Sequence, residues 1–321
     1  MTGLGRFLRR RLVAVPLTLV AVSVLVFALT AVVPGDVARR IVGREASPEA
    51  AAAVRADLGL DRPLVEQYGS WATGFVTGDW GTSYTRSEDV RPLVLDRLGQ
   101  SLLLGGVAFA VLVPVALGLG LLAGARHGGR LDRAIGVSSV VGTATPVFVS
   151  GVVLLIVFAV QLRWFPTVAA APPGSGLGEQ LRRIVLPVVA LVVLCAGYVL
   201  RMVRASTIAT VESPYVRAAE LRGLTRRQVV RRHVLRNALV PPLAALGVQL
   251  RWLIGGLVTV ELLFSYPGIG ALVVESAESK DVPTLQAAVL VLGTLVLATF
   301  VVTDLLYALL DPRIRLDGAA A

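Results

Sequence analysis

Long apolar runs, separated by shorter polar and arginine-containing segments, dominate the chain. A helix that crosses a bilayer needs about 20 mostly apolar residues, and six runs reach about that length. They cover Leu12–Val33, Ser101–Ala125, Ala134–Gln161, Ile184 to Leu200 or slightly beyond, Pro241–Phe264 and Leu285–Leu310. Prolines inside these runs do not exclude membrane helices, because neighbouring helices can satisfy the freed backbone groups. The pattern predicts an all-α polytopic membrane protein with six transmembrane helices.

The first run could be mistaken for a secretory signal peptide, because four arginines precede it. Its apolar core spans about 22 residues, whereas the apolar region of a signal peptide spans about 7–15. It also ends in Pro34-Gly35-Asp36, which is a poor cleavage site. We therefore expect a retained helix, with residues 1–33 forming a cytoplasmic N-terminus and the first transmembrane helix.

Residues 34–98 separate the first two runs and predict a small helical segment outside the cytoplasm. Ser47-Pro48, followed by strong helix formers, predicts a capped helix that stops at Gly59. Apolar and aromatic residues at three- or four-residue spacing predict a second, amphipathic helix over Pro63–Phe75. Its aromatic side chains are of the type that lies at membrane interfaces.

The composition supports a membrane protein and excludes several kinds of chemistry. Of 321 residues, 55% are hydrophobic and 16% charged, and the net charge is +10. Lys280 is the only lysine among 31 basic residues, and its surroundings do not form the phosphate-binding loop of an ATPase. Cys195 stands alone in an apolar run, and His127 and His233 lack neighbours at ligand spacing. We expect no catalytic residue, metal site or cofactor in this chain.

The arginines are distributed unevenly between the two sides of the predicted membrane. If the N-terminus is cytoplasmic, the cytoplasmic segments carry 18 basic and five acidic residues, a net +13. The opposite side carries 12 basic and 15 acidic residues, a net −3. The positive-inside rule then places both termini in the cytoplasm. This topology, with contact to anionic lipid, accounts for the basic charge without nucleic-acid binding.

The cytoplasmic loop 206–240, between the fourth and fifth runs, is the most informative stretch. Ser213-Pro214 predicts the start of a short helix, and Gly223 predicts its end. Thr225-Arg226-Arg227-Gln228 fits a capping box that begins a basic helix running to Leu239. The paired small residues Ala218 and Ala219 would let another surface approach closely. A basic connector lying on anionic headgroups is the alternative, and the pattern alone does not decide between the two.

The loop resembles the EAA loop of ABC-importer permeases, most closely those of the dipeptide, oligopeptide and nickel family. The resemblance lies in Tyr215-Val216-Arg217-Ala218-Ala219-Glu220-Leu221-Arg222-Gly223-Leu224 and in Arg232-His233-Val234-Leu235-Arg236-Asn237-Ala238-Leu239. Other family landmarks are Pro34-Gly35-Asp36, Leu58–Leu64, Gly78–Ser83, Pro267-Gly268-Ile269-Gly270 and Asp311–Arg315. The resemblance extends over residues 8 to 316.

The resemblance implies a type I importer permease fold, with residues 99–321 as the permease core, and the role of the first of two permease subunits. The implied partners are a second permease, two ATPase subunits that bind the ATP, and an extracytoplasmic substrate-binding protein. The implied location is a bacterial-type cytoplasmic membrane. Peptides are the expected substrates, and nickel chelates, opines and sugars are the alternatives. The residues implied to contact the ATPase are Tyr215, Ala218, Ala219, Glu220, Arg222, Gly223 and Leu224.

Several positions depart from the family pattern. Arg217 replaces the usual glutamate, Glu220 the usual basic residue and Leu221 a small residue. Arg251 lies near the middle of the fifth run, where charge is costly and faces a cavity or a partner. We expect it either to line the translocation path, where it would meet a substrate carboxylate or an acidic partner, or to form a salt bridge with Asp304 or with the partner permease.

Glu261, near the outer end of the fifth run, matches a family glutamate, and both gating and structural support are open.

Two other classes of function are alternatives to an importer permease. A secondary transporter or channel would need internal repeats, which are not evident. A membrane enzyme would need a nucleophile beside a base, and Asp304 with Ser138 and Ser139 is the best available set.

Overall fold

The computed structural model describes residues 3–32, 47–57, 59 and 61–310. This part of the chain is almost entirely helical and contains one isolated β-bridge, between Thr82 and Asp89. Its helices are α1 (Gly3–Val32), α2 (Pro48–Asp57), α3 (Leu64–Thr77), α4 (Val90–Ala125), α5 (Arg130–Ala144), α6 (Val147–Leu154), α7 (Leu177–Val211), α8 (Pro214–Leu221), α9 (Arg226–Val229), α10 (Leu235–Ala238), α11 (Val240–Leu263), α12 (Ile269–Ser279) and α13 (Val282–Leu310). The landmarks at residues 34–36 and 311–315 lie outside the described residues.

Five of the described helices are long and apolar enough to cross a membrane, and a bent pair brings the number to six. That pair replaces the single helix expected over residues 134–161: α5 and α6 meet at 111°, and α6 continues as a π-helix over Leu155–Gln161. The break falls at Thr145, which is extended (φ −86°, ψ 124°) and precedes Pro146. Proline disfavours helical backbone at the preceding residue and has no N–H to donate.

The described residues form two compact units, the larger of which contains residues 3–8, 100–271 and 296–310. Within it α7 is central and packs against α5, α6 and α11. Gly120 and Gly124 allow α4 to approach α7 closely, since a Cβ atom at these positions would lie 2.5 Å from Val203 and 2.6 Å from Thr207. Small residues four positions apart permit such contacts between membrane helices.

The smaller unit contains the described part of residues 9–99 together with residues 272–295. Both helices expected in its outer segment are present as α2 and α3. The amide of Ala50 donates to Ser47 Oγ (3.3 Å), and α3 ends at Gly78 with φ +94°. Aromatic rings of α1, α3 and the following turn pack on one another: Phe27, Tyr68, Trp71, Phe75 and Trp80.

Asp281, just before α13, fixes the turn that precedes α4. Its carboxylate accepts hydrogen bonds from the Tyr84 amide (3.0 Å), Thr85 Oγ1 (3.0 Å), Thr284 Oγ1 (2.8 Å) and Ser83 Oγ. Burial, and to a smaller extent the Asp281 charge, raises the pKa of Tyr84.

Candidate coupling loop and intramembrane charges

The short helix expected in the cytoplasmic loop is present as α8. Ser213 precedes it in an extended conformation (φ −68°, ψ 147°), and Pro214 occupies its first turn. Gly223 follows it with φ +82°, a left-handed conformation that costs glycine little. The amide of Leu224 then donates to the carbonyl of Ala219 (3.3 Å). The capping signals in the sequence therefore placed both ends of this helix correctly.

The inner face of α8 is packed against the rest of the loop. A buried apolar cluster is formed by Val216, Ala219, Val229, Val234 and Ala238, with Leu121, Val211 and Leu224 packed against it. The cluster connects α8 to the helices on both sides of it and to α4. The loop is thus a folded element on its own small core, which gives α8 a defined position.

The outer face of α8 is open to solvent. Tyr215 is 45% exposed and Leu221 84% exposed. The other exposed residues predicted to contact the ATPase are Ala218, Glu220, Arg222 and Gly223. Of the predicted set, Ala219 and Leu224 instead lie in the inner cluster. The ATPase contact itself stays a prediction.

Leu221 is a residue of this face that the sequence analysis does not place at the contact, since in the sequence it stands out only as a departure from the family pattern. The helical period of about 3.6 residues would have placed Leu221 on the outer face. Val216 and Ala219, three residues apart, share the inner face. Leu221 follows Ala219 by two residues, which is about 200° around a helix of 3.6 residues per turn. It therefore lies opposite the inner face.

The second helix of the loop is less regular than expected. The capping interaction forms, since the Thr225 amide donates to Gln228 Oε1 (2.9 Å). However, α9 passes into a π-helical turn over Val230–Val234 before α10. Pro241 and Pro242 then lie in the first turn of α11, where a missing N–H removes no hydrogen bond. They mark the start of this helix.

The two halves of the resemblance meet at Tyr215. The side-chain amide of Asn237, on α10, donates a 3.3 Å hydrogen bond to the Tyr215 hydroxyl. This contact crosses from the motif after the glycine to the motif before it. We infer that Asn237 helps to hold the Tyr215 ring on the outer face.

Glu261 lies at the end of α11 in a dense hydrogen-bond network. It is fully buried and accepts hydrogen bonds from the Gly270 amide (2.8 Å), the Ala271 amide (3.1 Å) and Ser101 Oγ. Ser101 in turn accepts from the Ile269 amide (2.8 Å). A carboxylate and a hydroxyl thus satisfy free amides at the start of α12, where negative charge is favoured.

This network explains the Pro267-Gly268-Ile269-Gly270 landmark. A Cβ atom at Gly268 would lie 2.1 Å from the Glu261 carboxyl carbon, and one at Gly270 would lie 2.9 Å from Glu261 Oε2. Neither position has room for a side chain while the carboxylate stays in place. The contacts favour structural support as the role of Glu261, and a gating role stays untested.

Arg251, in the middle of α11, pairs with Asp304 of α13. Arg251 Nη2 lies 3.0 Å from Asp304 Oδ1, with 35% and 15% of the two side chains exposed. The guanidinium carbon also lies 4.7 Å from the centre of the Phe300 ring, within the range of a cation–π contact. Arg251 Nε is buried and makes no hydrogen bond. The ion pair with Asp304 is one of the two arrangements considered for Arg251, and it leaves some capacity for another polar group.

Replacing Arg251 with alanine is expected to lower the stability of the assembled protein by about 2 kcal/mol. Breaking a fully buried ion pair costs about 3–5 kcal/mol, and the partial exposure of Arg251 reduces this. The double variant Arg251→Gln/Asp304→Asn should recover most of the loss, because no charge is left unpaired. Assembly and uptake are measured separately. Normal assembly together with normal uptake in Arg251→Ala would eliminate a role in the translocation path.

The remaining candidates for chemistry are engaged in the helices. Ser138 Oγ donates to the Ala134 carbonyl (2.8 Å) and Ser139 Oγ to the Gly136 carbonyl (2.7 Å). Asp304 is paired with Arg251. Among the described residues, no group of three or more His, Cys, Asp or Glu side chains is placed to hold a metal ion.

Comparison with known proteins gives matches along the whole chain. Residues 116–316 match the family described as binding-protein-dependent transport system inner membrane component. Residues 4–105 match the N-terminal family of such membrane components. Among solved structures, the inward-facing MetNI methionine ABC transporter matches with a TM-score of 0.55 and 18% identity, over 68% of this chain and 96% of that chain. At that identity the match concerns the fold alone.

Curated relatives are similar over nearly their full length. A probable peptide ABC transporter permease protein of Sinorhizobium fredii is 34% identical over 97% of this chain and 100% of its own. A putative peptide transport system permease protein of Brucella abortus is 36% identical over 99% of this chain and 100% of its own. A glutathione transport system permease protein of Pectobacterium atrosepticum is 35% identical over 97% of this chain and 99% of its own.

Proposed function

Because the chain belongs to the family of inner membrane components of binding-protein-dependent transport systems and is a permease subunit of an ABC importer, we propose that it imports short peptides. The observation that carries the proposal is similarity to peptide permeases at 34–36% identity over almost the entire chain. Nickel chelates, opines and sugars are the alternatives within the same class of transporter.

The exposed face of α8 is the proposed contact with the ATPase. Its residues Tyr215 and Leu221 present apolar surface next to Arg222, a mixture that suits a protein groove better than water. Since the inner face is packed on the chain's own core, a force applied to α8 is transmitted to α4 and α7. ATP is bound by the separate ATPase subunits, whose closure moves α8 and reorients the transmembrane helices.

The remaining partners follow from the same role. A second permease completes the translocation path, and an extracytoplasmic binding protein delivers the peptide. Both termini and the loop containing α8 face the cytoplasm, as the arginine distribution favours. Residues 34–98 lie on the opposite side, where the binding protein docks.

Deletion of the chain is expected to abolish growth on di- and tripeptides as the source of a required amino acid, and the intact chain should restore it. Uptake of labelled peptides, nickel chelates and sugars by the same cells provides the comparison. A deletion that leaves peptide uptake unchanged and abolishes uptake of one of the other substrates would refute the peptide assignment and keep the importer class.

A further inference from the structure

A cavity of about 430 Å³ lies between the start of α5 and the end of α7. Three glycines form part of its wall: Gly128, Gly129 and Gly136. A Cβ atom added at Gly136 would meet nothing within 4 Å, so this position borders open space. Because glycine has no side chain, these positions leave room for a group from outside the chain.

The cavity is positively charged. Its wall contains Arg133, Arg201 and Arg204 with a single carboxylate, Asp132. The carboxylate of Asp132 already has partners, since it accepts hydrogen bonds from Arg204 Nη2 (2.8 Å) and from the amide of Gly128 (2.9 Å). Two positive charges therefore remain without a compensating carboxylate in the wall.

The arginines are held in different ways. Arg201 Nη1 donates to the Ser139 carbonyl (3.1 Å) and to Thr143 Oγ1 (2.9 Å), both neutral acceptors that leave its charge uncompensated. Arg133 is exposed, and its side chain can reach into the cavity without breaking an ion pair. A guanidinium group is well suited to bind phosphate oxygens in pairs.

The cavity lies at the predicted level of the lipid headgroups. Arg133 immediately precedes the apolar run that begins at Ala134, and Arg201 immediately follows the run that ends at Leu200. On the membrane side, the wall continues into Val137 and Val140, which are 58% and 55% exposed. The site therefore combines a positive headgroup pocket with an adjoining apolar surface for an acyl chain.

We propose that this cavity binds the phosphate of a phospholipid with an anionic headgroup, in the leaflet that the proposed orientation makes cytoplasmic. Basic pockets between membrane helices on that side are suited to such headgroups. The exposed valines favour a lipid over free phosphate, because an acyl chain can cover this apolar surface and a phosphate ion cannot. A bound lipid would join the start of α5 to the end of α7, close to the loop that carries α8.

The test uses the purified importer complex in vesicles of phosphatidylcholine and phosphatidylglycerol. A phosphatidylglycerol probe with a photoreactive acyl chain is cross-linked to the complex. The labelled proteolytic fragments of the chain are then identified by mass spectrometry. Labelling is expected on the peptide that contains Val137 and Val140. Arg133→Gln should reduce it about fivefold, since the variant loses a guanidinium group of the cavity wall and an exposed ion pair contributes up to roughly that factor. Gly136→Leu should reduce it by filling the cavity.

Arg130→Gln is the matched control, because Arg130 is exposed one turn away and does not line the cavity. The Arg130→Gln variant should be labelled by the probe to the same extent as the wild type. Equal losses in Arg130→Gln and Arg133→Gln, or equal labelling by a phosphatidylcholine probe, would overturn the proposal. Displacement of the probe by millimolar inorganic phosphate as effectively as by unlabelled phosphatidylglycerol would assign the cavity to free phosphate and overturn the lipid assignment.

Discussion

Replacing Leu221 with glutamate is expected to abolish uptake and substrate-stimulated ATP hydrolysis while leaving the chain in the membrane. Leu221 is 84% exposed on the outer face of α8, so the change does not disturb the inner cluster. An unpaired charge buried in an interface costs about 3–5 kcal/mol, which corresponds to an ATPase contact weaker by about a hundredfold or more. The measurements are labelled substrate uptake and ATPase activity of the assembled complex.

Leu177→Glu provides the matched control, because Leu177 is 78% exposed at the opposite end of α7. The same change there should leave both activities near the wild-type level. If Leu221→Glu retained substrate-stimulated ATP hydrolysis in the assembled complex, the outer face of α8 would not be the coupling contact.

Glu261→Ala is expected to prevent accumulation of the folded protein. The substitution leaves Ser101 Oγ and the amides of Gly270 and Ala271 without their acceptor. Each orphaned buried donor costs about 1–3 kcal/mol, and the total stability of a protein is only about 5–15 kcal/mol. Protein level in the membrane and the thermal unfolding temperature of the purified protein measure the effect.

The glycines around the carboxylate give an independent variant of the same test. Gly268→Ala should be nearly as damaging, because its Cβ atom would lie 2.1 Å from the Glu261 carboxyl carbon. Gly255→Ala, in the second half of α11, has no atom within 4 Å of the new Cβ and should be tolerated. Wild-type levels and unfolding temperatures in both Glu261→Ala and Gly268→Ala would contradict the supporting role.

Elements defined by local chemistry could be predicted from the sequence. The apolar runs gave the long helices, and the Ser213-Pro214 start and Gly223 end gave α8, because caps act within one helical turn. The break at Pro146 was missed, since membrane helices tolerate other prolines, such as Pro114 and Pro187, inside continuous helices. Whether a proline bends or breaks a helix depends on packing partners that are distant in sequence.

Features that depend on tertiary contacts could not be assigned in this way. Ala218 and Ala219 look equivalent in the sequence, yet Ala219 packs in the inner cluster and Ala218 is exposed. Glu261 could be singled out as a charge in a membrane helix, but its donors come from α4 and the start of α12. The pairing of Arg251 with Asp304 was among the alternatives, because two opposite charges within spans have few other partners.

The most direct test of the central claim is cross-linking from the outer face of α8. The chain contains one cysteine, the buried Cys195, so Cys195→Ala gives a version of this chain without thiols. On this background Leu221→Cys should cross-link to the ATPase subunit of the assembled importer, and Leu177→Cys should not. A Leu221→Cys variant that assembles and transports, yet cross-links to the ATPase no more than Leu177→Cys, would contradict the account.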